Sequence, residues 1–335
     1  MITKYYIIRI IITYLRILYT IDMSDNSTEL STITITKPLL KWVGGKTQII
    51  LDVLQLFPRR MKNYHEPFLG GGSVLLGLLS CIKYGAIHVS GNIYASDANR
   101  LLIGLYKNIQ TKPDELYNEI KKIIDVYFQC KGTIVNRKPT CIEEAKTSQE
   151  SYYYWIRSCL NSIHDDDKLT PYASAMFLFL NKTCFRGVYR EGPHGFNVPF
   201  GNYKNPTIID KTHIYEISEL FRNVVFSCCS YRNSLTSVKR DDFVYMDPPY
   251  APENDKSFVS YTSAGFKLDD HTRLFDMCND IHRTGAKLLM SNADVKLVTD
   301  SFQVSEYNTS RIVCRRAINS KNPESKTSEV LIKNY

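Results

Sequence analysis

The sequence predicts an α/β protein: an open sheet of mostly buried strands, interrupted by a long helical insertion. Two strand–loop junctions and one change of pattern carry that reading. Glu66-Pro67-Phe68-Leu69-Gly70-Gly71-Gly72-Ser73 runs into the apolar stretch Val74 to Leu79, the order strand, glycine loop, helix. Asp241 to Met246 reads as a short buried strand that must end at Asp247-Pro248-Pro249-Tyr250, because a Pro pair cannot continue a ladder. Between them, from Arg100 to about Pro206, the apolar spacing is helical.

At 335 residues, with 44% hydrophobic and 23% charged residues, the chain can bury a large core as an ordinary globular protein. A formal charge of +8 favours a polyanionic partner. Nine cysteines without a C-x-x-C pair read as free thiols in a reducing compartment, which excludes a disulfide framework and a zinc site. Cys228 and Cys229 are adjacent, so on a strand they point to opposite faces. Met1 to Asp22 is rich in Ile and Tyr, but Lys4, Arg9 and Arg16 interrupt it, leaving no run near the ~20 residues of a membrane span. It reads as a dispensable leader, with Met23 as a working start and a polar linker from Ser24 to Thr36; a membrane-surface helix is the other reading.

The elements then follow in order. Lys41-Trp42-Val43-Gly44-Gly45-Lys46 precedes a helical pattern at Ile49, Ile50, Val53, Leu54 and Phe57. Its paired glycines allow close approach of a ligand, with a flat ring and a cation alongside. The G-x-x-x-x-G-K-[ST] spacing of a phosphate-binding loop is incomplete, so nucleotide hydrolysis is excluded. The glycines at 70–72 let a cofactor lie against bare backbone, though not in the G-x-G-x-x-G spacing of a dinucleotide site. Ile93 to Asp97 reads as a second strand ending in an acid, placed to accept ribose hydroxyls or to cap the helix that follows.

In the insertion, helices are expected over Leu101 to Phe128, Ser151 to Ile163 and Ala173 to Leu180, around a polar loop from Lys131 to Glu150. Lys182 to Lys204 interleaves cations, amides and rings in Gly-rich loops, which suits phosphate contact, base-edge reading and stacking, or simply a solvated loop anchored by a few rings. After Tyr250, a helix over Leu268 to Gly285 and strands over Lys287–Ser291, Phe302–Tyr307, Arg311–Ala317 and Glu329–Ile332 are expected. Arg311, Arg315, Arg316, Lys321 and Lys326 face only Glu324, a solvated edge or a reach toward phosphates.

The Pro pair turns Asp247 out of the sheet, toward a ligand rather than the core. A carboxylate, bare Pro carbonyls and the Tyr250 ring are the groups that hold a planar exocyclic amine: oxygens accept its N–H groups and the ring stacks on its base.

In this order the motifs 41–46, 66–73, Ser96-Asp97-Ala98-Asn99, Phe196-Asn197-Val198-Pro199-Phe200-Gly201 and 247–250 resemble the DNA adenine methyltransferase (Dam) family, alpha group. The resemblance covers Lys37 to Tyr335. It implies a Rossmann-like S-adenosylmethionine-dependent methyltransferase sheet, in catalytic parts 37–100 and 207–335, with residues 101–206 as an inserted DNA-recognition domain. It implies cofactor contacts from Trp42, Lys46, Glu66, Pro67, Phe68, Gly70, Gly72, Asp97 and Asp247. Catalysis falls to Asp247, Pro248, Pro249 and Tyr250, which hold a flipped adenine. DNA contacts fall to Lys41, Phe185, Arg186, Val188, Arg190, Asn202 and Tyr203. Phe185-Arg186 and Asn202 depart from the Tyr-Asn and Arg of GATC-specific members and look more like restriction-system enzymes of other palindromes, so CATG and GATC are the expected pair.

The expected protein is thus an intracellular monomer acting on double-stranded DNA, without a metal or a stable membrane partner. The alternatives are an N4-cytosine methyltransferase, which usually carries Ser at the Asp247 position, and a non-catalytic DNA-binding module. A glutamine or RNA methyltransferase would usually show Asn there.

Overall fold

A computed structural model of the chain describes residues 30–252, 266–315 and 326–335. Its centre is a seven-stranded sheet of β1 (Tyr64–Glu66), β2 (Ile93–Asp97), β3 (Val224–Cys228), β4 (Phe243–Met246), β5 (Lys287–Ala293), β6 (Asn308–Arg315) and β7 (Lys326–Lys333), in the order β3-β2-β1-β4-β5-β7-β6. Strands β1 to β5 are parallel, and β7 is antiparallel to both its neighbours. The chain winds outward from β1 through β2 to β3, and in the other direction from β4 to β5. The carboxyl ends of β1 and β4 therefore flank the switch point of the sheet, the place where an open α/β sheet forms its ligand crevice.

The sequence of β4 explains its central place. All of Phe243, Val244, Tyr245 and Met246 are buried, as expected of a strand covered on both faces. Alternation divides them: Phe243 and Tyr245 join the core shared with the helical insertion, while Val244 and Met246 join a second core under the later helices. The longer helices are α1 (Ile50–Gln55), α2 (Ser73–Lys83), α3 (Arg100–Thr111), α4 (Pro113–Gln129), α5 (Gln149–Asn161), α6 (Pro171–Thr183), α7 (Lys211–Phe221) and α8 (Leu268–Thr284). Helices α3 to α7 lie between β2 and β3 in the chain, so a mainly helical segment does interrupt the sheet. Gly285 ends α8 in the left-handed conformation, the usual helix stop.

Several local expectations are corrected. The pattern from Leu101 to Phe128 is two helices, because Pro113 cannot continue α3 and starts α4 at its N-terminal position. Asp97 does not cap α3; the Asn99 side chain does, accepting the Leu102 N–H at 3.1 Å. Phe302 to Tyr307 is a turn rather than a strand. Its two rings pack together at 4.9 Å, the Tyr307 hydroxyl donates to Asn279 Oδ1, and Val304 between them is 93% exposed. The expected linker packs onto the domain at its end: Leu30 is buried, and the Thr36 N–H donates to Ser80 Oγ. Of the adjacent cysteines, only Cys228 lies in a strand. Met1 to Asp22 lies outside the described residues, as do Arg316 and Lys321 of the basic run, and Arg311 pairs with Asp294 at 2.8 Å.

Candidate active site

The Pro pair delivers Asp247 to the crevice, but the carboxylate does not stand free. Lys46, brought in by the loop before α1, lies 2.7 Å from Asp247 Oδ2. Its ammonium also donates to the Gly44 carbonyl at 2.7 Å and sits 5.0 Å from the centre of the Tyr250 ring. Lys46 is held at its backbone too, where its N–H donates to Ser73 Oγ at the start of α2. The first and last motifs in the chain are thereby one cluster. Burial pushes the Asp247 carboxyl above its usual range, and the Lys46 ammonium opposes that by favouring the ionised form.

Beside this cluster runs the glycine loop. Gly70 and Gly72 take left-handed conformations (φ +48° and +72°), and Gly71 packs so closely on Trp42 that a Cβ would lie 2.7 Å from the indole side chain's own Cβ. Asp97, at the end of β2, accepts the Gly70 N–H on Oδ2 at 3.0 Å and the Asn99 N–H on Oδ1 at 2.9 Å. Burial raises its pKa while these backbone bonds oppose the rise. Each carboxylate oxygen has a second lone pair, so Asp97 can shape the loop and still accept a ligand hydroxyl. Glu66 is buried deeper, accepting the Tyr64 hydroxyl at 2.6 Å, and burial lifts its pKa to about 8. Pro67 is buried, and the half-buried Phe68 stacks on Tyr231 at 5.2 Å. Asp97 and Asp247 at the ends of β2 and β4, with the nearby lysine already paired, suit a cationic ligand bearing hydroxyls better than a phosphate.

The insertion supplies a second surface next to the first. Lys41 is exposed at its side chain, and its ammonium sits 4.5 Å from the centre of the Tyr203 ring. Its backbone is clamped by Asn181 at the end of α6, which accepts the Lys41 N–H and donates to its carbonyl and to that of Gly187. Phe185 and Arg186 are exposed, the guanidinium 5.3 Å from the phenyl ring, with Arg186 itself left-handed at φ 58°. Arg190 is exposed and donates from Nε to Asn197 Oδ1 at 2.7 Å. Val188 is half-buried, and Asn202 is exposed with φ 50°. Burial, and then the Lys41 ammonium, draw the Lys182 pKa down to about 8.

Sequence reasoning missed the residues that hold these groups in place. Tyr153 and Arg157 both donate to the Val198 carbonyl, and Asn161 bonds both the N–H and the carbonyl of Phe196. Their four-residue spacing on one face of α5 was the available signal. Tyr189 stacks on Trp42 at 5.4 Å and 18°, tying the second surface to the glycine loop. Glu329 and Asn292, from β7 and β5, bond the turn at Tyr250 and Ala251. No spacing in the sequence announces them.

Among the described residues, no group of three or more His, Cys, Asp or Glu side chains could hold a metal ion, and no helix is long and apolar enough to cross a membrane. A model of the D12 class N6 adenine-specific DNA methyltransferases matches residues 42–317. The Type II methyltransferase M.MjaIII of Methanocaldococcus jannaschii is 35% identical over 310 residues, which are 89% of this chain and 99% of that protein. The Type II methyltransferase M1.LlaDCHI of Lactococcus lactis subsp. cremoris is 28% identical over 304 residues, 89% of this chain and 95% of that one. The DNA adenine methylase of Escherichia coli (strain K12) is 28% identical over 302 residues, with the same coverage. The chain therefore belongs to the D12 class N6 adenine-specific DNA methyltransferase family.

Proposed function

We propose that this enzyme transfers a methyl group from S-adenosylmethionine to N6 of an adenine extruded from duplex DNA, within a short palindrome for which CATG and GATC are the leading candidates. The observation that carries the reading is the meeting of Lys46 and Asp247 at the sheet's switch point, beside the loop shaped by Asp97. S-adenosylmethionine, when bound, supplies an electrophilic methyl on a positively charged sulfur. The acidic donor set fits it: Asp97 would take ribose hydroxyls, with Trp42 and the 66–73 loop as the walls.

Adenine's exocyclic nitrogen is a weak nucleophile because its lone pair is delocalised into the ring. Asp247 and a Pro carbonyl would accept its N–H groups, letting the nitrogen pyramidalise toward the methyl. Only an ionised Asp247 has its full acceptor capacity, and Lys46 favours that form. Orienting the partners can supply up to roughly 7–11 kcal/mol of the barrier. Extruding the base costs a few kcal/mol, which stacking on Tyr250 would offset in part. Residues 101–206 are assigned to target recognition and 37–100 with 207–335 to catalysis. A chain starting at Met23 retains the buried Leu30 and is expected to be active.

The test is incorporation of tritiated methyl into duplex DNA, followed by mapping of the modified base. N6-methyladenine at one short motif is the expected product. N4-methylcytosine, or adenine marks without a motif, would overturn the reading.

A further inference from the structure

Asp247-Pro248-Pro249-Tyr250 has an unusual anchoring problem. Prolines have no N–H, so the turn cannot be pinned through residues 248 and 249 by backbone donors. Two side chains from neighbouring strands take two donors just beyond the Pro pair, the Ala251 N–H and the Tyr250 hydroxyl. Asn292, at the end of β5 and fully buried, accepts the Ala251 N–H at 3.0 Å through Oδ1, which also takes the Ala293 N–H at 2.9 Å. Glu329 of β7 accepts the Tyr250 hydroxyl on Oε2 at 2.7 Å. Glu329 is opposite Ala293 in the β7–β5 register, so both anchors come from the same end of the antiparallel pair.

We propose that Glu329 is a positioning residue for methyl transfer: it fixes the Tyr250 ring through the phenolic hydroxyl, and through the ring the plane of the target adenine. This rests on the reading that Tyr250 stacks on the extruded base. Asn292 holds the backbone of the turn, and the Glu329 bond holds the far end of the ring, whose face lies under the Lys46 ammonium. Among the described residues Glu329 makes no ion pair, and its charge acts against ionisation of Asp247. The carboxylate is thus electrostatically adverse to its catalytic neighbour, and the Tyr250 hydroxyl is the partner it serves. A ring displaced by an ångström would tilt the base out of line with the methyl donor, the kind of misplacement that costs up to about a hundredfold in rate.

The full-length enzyme is assayed in single turnover on a duplex carrying its methylation site, with Glu329→Ala, Glu329→Gln, Tyr250→Phe and the double variant Tyr250→Phe/Glu329→Ala. Glu329→Ala is expected to slow methyl transfer roughly tenfold while S-adenosylmethionine affinity and melting temperature hold. Glu329→Gln, which keeps an accepting oxygen, should recover most of the rate. In the Tyr250→Phe background the Glu329→Ala change should have almost no further effect, because the bond is already gone. With 2-aminopurine at the target position, Glu329→Ala should show weaker quenching of the extruded base than wild type. Independent, multiplicative losses in the double variant, or a Glu329→Ala enzyme as fast as wild type, would overturn the proposal. If Glu329→Ala does not fold, the same cycle is run with Glu329→Leu, which fills the space without an acceptor, and Tyr250→Phe, where multiplicative losses again reject it. A wild-type enzyme that does not methylate adenine would instead reject the function on which the proposal stands.

Discussion

Lys46 Nζ lies 2.7 Å from Asp247 Oδ2, joining residues 201 positions apart. The Lys46 side chain is 3% exposed and that of Asp247 19%, so the pair is largely shielded from bulk water. The contact bears on Asp247 as well as on the cofactor contact the resemblance implies: the ammonium favours the ionised carboxylate against the burial that opposes it.

Asp247→Ala is expected to abolish methyl transfer, but it also strands a buried ammonium, a change that costs about 3–5 kcal/mol when a buried pair is broken. Asp247→Asn separates the effects, because it keeps the shape and one accepting oxygen. Lys46→Met makes the pH test. Burial holds the Asp247 pKa above its usual range while Lys46 opposes the rise, so removing the ammonium must raise the pKa further. The acidic limb of the kcat/KM profile should therefore move to higher pH. A profile that does not move would show that Asp247 ionisation is not what Lys46 controls.

Asp97→Ala should weaken S-adenosylmethionine binding twice over. It removes the acceptor for ribose hydroxyls and releases the Gly70 and Asn99 amides that order the loop. Each charge-assisted bond is worth about 1.5–3 kcal/mol. Calorimetry should record a loss of at least tenfold in affinity; an unchanged value would leave Asp97 as a loop-shaping residue only.

Glu66 predicts a pH dependence of stability. Burial raises its folded pKa from 4.5 to about 8, so between those values the folded chain binds a proton that the unfolded chain has lost. The contribution is complete below pH 4.5 and disappears as the pH rises through 8. Asp97 and Asp247 are raised in the same direction and add to the slope. Glu66→Gln, which can still accept the Tyr64 hydroxyl, should melt like wild type at the acidic end and above it at pH 8.5. Melting curves that stay parallel across this range would contradict the assignment.

What the sequence made legible was local. Asp247 could be placed at a strand end because two prolines follow it, and the glycine loop because three glycines stand between an apolar strand and an apolar helix. Pro113 was equally visible, yet the leucine spacing on both sides hid the break it makes. Phe302 and Tyr307 looked like a strand because rings favour strands, whereas here they pack on each other across a turn. Pairings between distant side chains had no local signature. Asn181 with Lys41, Glu329 with Tyr250 and Lys46 with Asp247 are set by the sheet order, which no single segment encodes.

Specificity is the remaining prediction. Arg190 is exposed, and its Nε is held by Asn197 Oδ1, which leaves the terminal nitrogens of the guanidinium as donors for a further partner. A guanidinium fixed at one edge is preorganised to bond O6 and N7 of guanine with the other. Asn197 is fixed in turn, since its N–H donates to the Arg190 carbonyl, and Asn161 pins the adjacent Phe196. Arg190→Ala should therefore cost about 1–3 kcal/mol on the preferred site and relax the preference at one base pair. Asn197→Ala should do the same more weakly, because it frees the reader without removing it. Methylation of a duplex library randomised around the target adenine measures both. If Arg190→Ala weakens every sequence equally, with a shallower salt dependence, Arg190 binds phosphate and the guanine is read elsewhere.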